Sequence, residues 1–265
     1  MFKKMILCLL VCILPPAGLS GCAGKYGKQT TQVERYPQCY APIRKLREGE
    51  SAVAGTTAGG AAAGAILGAL IGALATGKVE GVAAGGVAGG VAGGAIGYSR
   101  AKQRQIRDQN ARMAAYLRDL DGDIAGIDAV NASARHSLQC YDREFNLLVA
   151  DYKSGRISRI ELDRAYQEIK NGMGEAGHLL GATAERNQAR DEQYEAAVAG
   201  ETRTVEDAAR QQRRGPRYPA ALDRMRSRVV GKKLKTAETA ELQRKFADTS
   251  RQQQLLLDNI DMANG

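Results

Sequence analysis

Glycines recur every four residues through one stretch of this 265-residue chain. Gly60, Gly64, Gly68 and Gly72 form one ladder; Gly81, Gly85, Gly89, Gly93 and Gly97 form a second, flanked by Gly86, Gly90 and Gly94. An α-helix stacks residues i and i+4 on one face, so each ladder predicts a helix carrying a stripe of bare backbone. Such a stripe lets another helix approach very closely, as in the small-xxx-small packing of membrane helices. No charged residue occurs in 53–77 or 81–98, and Thr76-Gly77-Lys78-Val79-Glu80 between them reads as a polar apex. Residues 53–75 would make about 34 Å of helix and 81–98 about 27 Å, both near the span of a bilayer core. The expected unit is a transmembrane helical hairpin over 53–98.

Energetics restrict where such a hairpin can form. Each interior glycine costs about 0.8–1 kcal/mol relative to alanine, so the second ladder is a poor helix in water. In hydrocarbon the backbone must satisfy its own hydrogen bonds, which favours helix. The alternative is a flexible Gly-rich linker. Against it stand the strict period and the side chains of Ile66, Leu67, Leu70, Ile71 and Leu74 on the other faces.

The N-terminus reads as an export signal. Lys3 and Lys4 precede a short apolar core, Pro15-Pro16 breaks it, and Leu19-Ser20-Gly21-Cys22 follows. This string resembles the bacterial lipobox. The resemblance implies diacylation of Cys22, which becomes the mature N-terminus, and Ala23 in place of Asp implies export to the outer membrane. An ordinary cleavage site is the alternative. Removal of 1–21 discards Cys8 and Cys12, leaving Cys39 and Cys140 beside the acylated Cys22. Two cysteines in an oxidising compartment predict one disulfide, within the chain or between two chains. A straight helix from Ser99 would carry Cys140 about 60 Å away, so an intrachain bond requires a bend, expected near Gly122 and Gly126.

From Ser99-Arg100 the composition turns polar and heptad-like. Ile106, Met113, Leu117, Leu120, Ile124, Ile127, Ala134, Leu138, Tyr141, Phe145, Leu148 and Tyr152 mark one seam, with Asn110 and Asn131 in its gaps. Lys153-Ser154-Gly155-Arg156 breaks the run, and Ser158 with Glu161 forms a capping box that starts a second helix. Its seam runs through Leu162, Tyr166, Ile169, Met173, Ala176, Leu180, Thr183 and Tyr194. The two helices are expected to pair antiparallel. A basic, Pro-containing linker precedes a short helix over 220–230 and a last amphipathic helix over 234–262, with Leu242, Phe246, Leu256 and Ile260 on one side.

No nucleophile elbow, phosphate loop or dinucleotide fingerprint is present, so no catalytic residue and no cofactor is assigned. His136 and Cys140 have chelating spacing but no second pair. Residues 150–161 echo a calcium loop without its oxygen ligands. Asp119, Asp121 and Asp123 read as a solvated face. The formal charge is +9. For an exported chain, the basic stretch 203–235 favours anionic envelope components over nucleic acid.

The lipobox cysteine together with the paired ladders resembles the glycine-zipper outer-membrane lipoproteins, a group that includes the rickettsial surface antigen family. The resemblance covers about 19–98. It implies a two-helix membrane hairpin, homo-oligomerisation, and a role in envelope integrity; the helical region beyond Ser99 departs from that family.

The sequence therefore predicts an all-α chain, a Gly-zipper transmembrane hairpin followed by long amphipathic, coiled-coil helices. Its segments are 1–21 signal, 22–52 lipidated linker, 53–98 hairpin, 99–200 antiparallel helices, and 201–265 basic linker with C-terminal helices. The expected function is a non-enzymatic outer-membrane scaffold whose partners are membrane lipid, other copies of itself, and anionic components or proteins of the outer membrane. A pore, or an accessory of a secretion or conjugation system, is the alternative.

Overall fold

The computed structural model describes residues 29–56, 94–215, 217 and 219–264. Among them are five helices and no strand: α1 (Pro37–Thr56), α2 (Gly94–Gln105), α3 (Gln109–Lys153), α4 (Arg159–Gln211) and α5 (Ala220–Asn264). The chain is all-α over these residues. None of the described helices is long and apolar enough to cross a membrane. Cys22 and the ladder positions Gly60, Gly64, Gly68, Gly72, Gly81, Gly85, Gly89 and Gly93 lie outside the described residues; Gly97 lies in α2.

The frame is an antiparallel bundle of α3, α4 and α5. At the 153–158 break, Gly155 takes φ 71° and the Arg156 N–H donates to Asp151, a left-handed helix stop that glycine accommodates. Ser158 and Glu161 then close the predicted capping box and launch α4. α4 lies beside α5 in the opposite direction, as Lys232–Asp191 and Arg226–Thr202 show. α5 therefore runs parallel to α3, with Arg228 on Asp121 and Thr239 on Asn131.

Both predicted seams are core. Met113, Leu120, Ile127 and Tyr141 on α3, and Leu162, Ile169 and Leu180 on α4, are fully buried. Asn131 is buried and bonded to Thr239 and the Lys235 carbonyl, so it ties α3 to α5 in register. Asn110 is exposed.

The structure corrects several expectations. α3 is continuous through Gly122 and Gly126; the break falls at 106–108, where Asp108 caps α3 by accepting from the Ala111 N–H at 2.7 Å. The boundary expected at Ser99-Arg100 lies inside α2. α4 passes position 200 without interruption and ends at Gln211. The two helices expected after 220 are one. The helix runs through the gap expected at 231–233, and Lys232 within it occupies the core. Leu257, not Leu256, is the buried leucine of the last turns. Residues 29–52, expected as part of the linker, are a strap and a packed helix, and that helix runs on to Thr56, past the hairpin start expected at 53.

α1 and α2 follow one another along one face of α4. Glu168 and Glu175 contact α1 and the strap before it, while Gly200 underlies Ser99 and Gln103 of α2. On a helical wheel those three α4 positions span about 40°. The ends of segment 57–93 thus both leave from the same side of the bundle.

Candidate functional site

The site that the structure builds around the ladder is a pair of clamps, one on each side of segment 57–93. The first holds α1. Tyr36 precedes the helix and has no short polar side chain to cap it; Pro37 follows at the first helical position, where a missing N–H is tolerated. Glu168 of α4 holds the strap just ahead of the helix, taking the N–H groups of Glu34, Arg35 and Tyr36 at 3.2, 2.9 and 2.9 Å, while the Cys39 N–H donates to the Tyr36 carbonyl. A carboxylate at a helix N-terminus also meets the positive end of its dipole.

One heptad on, Glu175 gathers the rest. One oxygen accepts from the N–H and hydroxyl of Thr30 and of Thr31, at 2.8–3.2 Å; the other accepts from the Tyr40 hydroxyl at 2.6 Å and from the Arg47 guanidinium. Burial opposes its charge, but the bonds from Tyr40 and Thr31 and the Arg47 charge outweigh burial and hold this carboxyl below the ordinary glutamate value. The Cys39–Cys140 disulfide fixes the same helix to α3, with Cα atoms 5.3 Å apart, and Ser137 donates to the Cys39 carbonyl beside it. The sulfurs that a metal would need are therefore bonded to each other. The intrachain bond needs no bend in α3, because α1 lies alongside Cys140.

The second clamp holds α2. Tyr98, expected at the end of the second span, is instead a core residue of the bundle. Its ring meets Tyr116 and Tyr194 edge-on, with centroids 5.7 and 5.6 Å away, and its hydroxyl donates to Asp119 at 2.6 Å. Lys102 pairs with the same carboxylate at 2.9 Å. The α2–α3 corner is tied down by Arg112, which makes a two-pronged contact to buried Glu201 at 2.6 and 2.8 Å and donates to the Ile106 carbonyl. Gly200 keeps the crossing close, since a Cβ there would sit 3.2 Å from the Ser99 hydroxyl.

A buried polar layer separates one apolar cluster, around Tyr98, Met113, Tyr116 and Leu120, from a second around Ile127, Tyr141, Ile169 and Phe246. Asp123 accepts from Arg190 at 3.2 Å and from Tyr194 at 2.9 Å. Lys232 is fully buried and donates to Asp191 at 2.7 Å and to the Asn187 carbonyl at 3.2 Å. The expectation of a solvated Asp119–Asp123 face holds for Asp121, which is exposed beside Arg228, but not for Asp123, which is buried, nor for Asp119, which binds α2. Burial raises the Asp123 carboxyl against the pull of Arg190 and Lys232.

The end of the bundle where α2 meets α3 and α4 meets α5 is strongly basic. Residues 100–112 and 199–226 hold twelve Lys/Arg and five Asp/Glu, whereas the opposite end, 142–164 with 250–264, holds six and seven. Between Gln109, Val205, Ala208, Ala209, Arg214, Arg217 and Pro219 lies a pocket of about 490 Å³. Arg213 beside it stands at φ 52°, where glycine is the usual residue, and the Arg214 N–H closes the helix stop on Ala209.

Comparison with models of protein families, with curated proteins and with solved structures returns no match for this chain.

Of the sites expected from sequence, Cys39 and Cys140 are joined, and Gly97 lies in the helix that carries the second clamp. Sequence reasoning missed Glu168 and Glu175. Their only signal is a seven-residue repeat beside an apolar seam, which solvated flanking charges share.

Proposed function

We propose that this protein is a non-enzymatic outer-membrane lipoprotein, anchored by acylated Cys22, whose glycine ladders form a membrane hairpin and pack between copies to build an oligomeric scaffold. One observation carries this reading: α1 and α2, the helices on either side of segment 57–93, are clamped to one face of the same bundle. A segment held at both ends by a disulfide, buried carboxylates and stacked tyrosines is presented in a fixed direction, as a scaffold needs. The strap adds to this. Gln29 is seven residues beyond Cys22, so an anchor there lies within about 25 Å of the Glu175 clamp.

Acyl chains contribute about 0.8 kcal/mol per buried methylene, enough for several chains to hold the protein firmly. The test is fractionation with fatty-acid labelling. Wild-type chain is expected in the outer membrane and labelled; Cys22→Ala is expected unlabelled and unprocessed. Equal labelling of both would sink the lipoprotein reading. Gly89→Leu should reduce oligomer size on native gels by blocking close helix approach, and an unchanged size would remove zipper packing from the account.

A further inference from the structure

We infer that the basic end of the bundle is a docking surface for the phosphate groups of an anionic lipid layer. The inference rests on the membrane-anchored reading above and names a second contact with the same membrane.

Four observations converge. This end holds a surplus of seven positive charges while the other end is slightly negative, so the charge is segregated along the bundle. Arg213, Arg214 and Arg217 are exposed, and none has a side-chain partner among the described residues. The Gln109 amide nitrogen is buried without an acceptor, in the pocket that Arg214 and Arg217 line. Finally, arginine occupies the left-handed position 213 that glycine fills at the other turn, which puts a cation where backbone geometry disfavours any side chain.

The chemistry fits a lipid phosphate better than a free carboxylate. Arginine forks match phosphate oxygens, and Val205, Ala208, Ala209 and Pro219 give the pocket an apolar side for glycerol and first methylenes. Segment 57–93 joins α2 at Gly94, and the twelve residues of α2 carry the chain about 18 Å along the bundle to its basic corner. Where the basic end lies within a screening length of an anionic surface, each Lys or Arg strengthens attachment roughly five-fold.

The test uses full-length protein reconstituted in vesicles, with a fluorophore on Gly215→Cys, a position with open space for a side chain. Quenching by lipid-borne quenchers is expected in phosphatidylglycerol vesicles and not in phosphatidylcholine vesicles. It should be abolished by Arg214→Glu with Arg217→Glu and by salt that shortens the screening length to a few ångströms. Retained quenching in millimolar inorganic phosphate would be expected for a lipid surface; loss there would overturn it in favour of a small-anion site. Equal quenching in both lipids, none in either, or capture by sacculi or DNA without quenching would also overturn it. Co-flotation with neutral vesicles reports the anchor and hairpin independently, so failure of the docking surface is distinguishable from failure of the membrane reading.

Discussion

Glu175 shows how much one side chain can organise. Seven donor atoms from the strap and α1 converge on its two oxygens, and hydrogen bonds to a charged group contribute about 1.5–3 kcal/mol each where buried. Glu175→Gln keeps the shape but loses the charge, and is expected to destabilise the protein by about 2–3 kcal/mol in urea titration. Because the folded-state value of this carboxyl is depressed, its contribution is complete above the ordinary glutamate value of 4.5 and is lost as pH falls through the lower folded value. Protection of the Thr30 and Thr31 amides, taken relative to the intrinsic exchange rate at each pH, should therefore fall on acidification below 4.5 in the wild type and be low throughout in Glu175→Gln. Lys232 makes a second residue-scale test. Lys232→Met strands buried Asp191 and should cost about 3–5 kcal/mol in thermal unfolding, whereas adding Asp191→Leu should recover most of it. Failure of the double variant to recover would assign the pair a positive contribution beyond mutual neutralisation.

At the scale of elements, stops and breaks decide the topology. α3 and α4 end in the same left-handed geometry, one with Gly155 and the other with Arg213. Arg213→Gly is expected to raise stability by about 1 kcal/mol, and Gly155→Ala to lower it by a similar amount, both read from denaturant midpoints. Opposite signs at equivalent positions would be hard to explain except by backbone conformation. The pairing of α3 with α4 depends on Gly172 as well. A Cβ there would overlap the Tyr141 ring, so Gly172→Ala should cost about 1–3 kcal/mol by overpacking.

The whole molecule is a bundle with a broken fourth row. α1 and α2 occupy one face of α4 in succession, and segment 57–93 joins them. The Cys39–Cys140 bond closes a separation of 101 residues. Its loss, by Cys39→Ser with Cys140→Ser, is expected to lower stability by about 2–5 kcal/mol. The loss should fall on α1 first: proteolysis within 29–56 should accelerate more than cleavage within α3 or α4. Equal acceleration everywhere would mean that α1 and the bundle unfold as one unit.

Period and local chemistry were enough to read much of this chain. The seams of α3 and α4, the Ser158–Glu161 start, the turn at Gly155 and the register asparagine at 131 all follow from spacing between near neighbours, which is where helix physics acts. Leu256 and Leu257 differ by one position and a hundred degrees, and only the neighbour across the interface decides which is buried. Lys232, Asp123 and Glu175 were not legible because a buried charge looks like a surface charge until its partner arrives from another helix; the low dielectric that makes such a group costly alone makes it stable when paired. The break at 106–108 and the docking of α1 beside Cys140 were likewise decided by tertiary contacts. By itself the sequence determined that the chain is helical, that a turn at Gly155 and a start at Ser158 divide its two long seams, and that two glycine ladders lie ahead of them. Only the tertiary structure decided that the helices on either side of the ladders share one face of α4, because that placement depends on Glu168 and Glu175, more than a hundred residues from α1, and on Gly200 beneath α2.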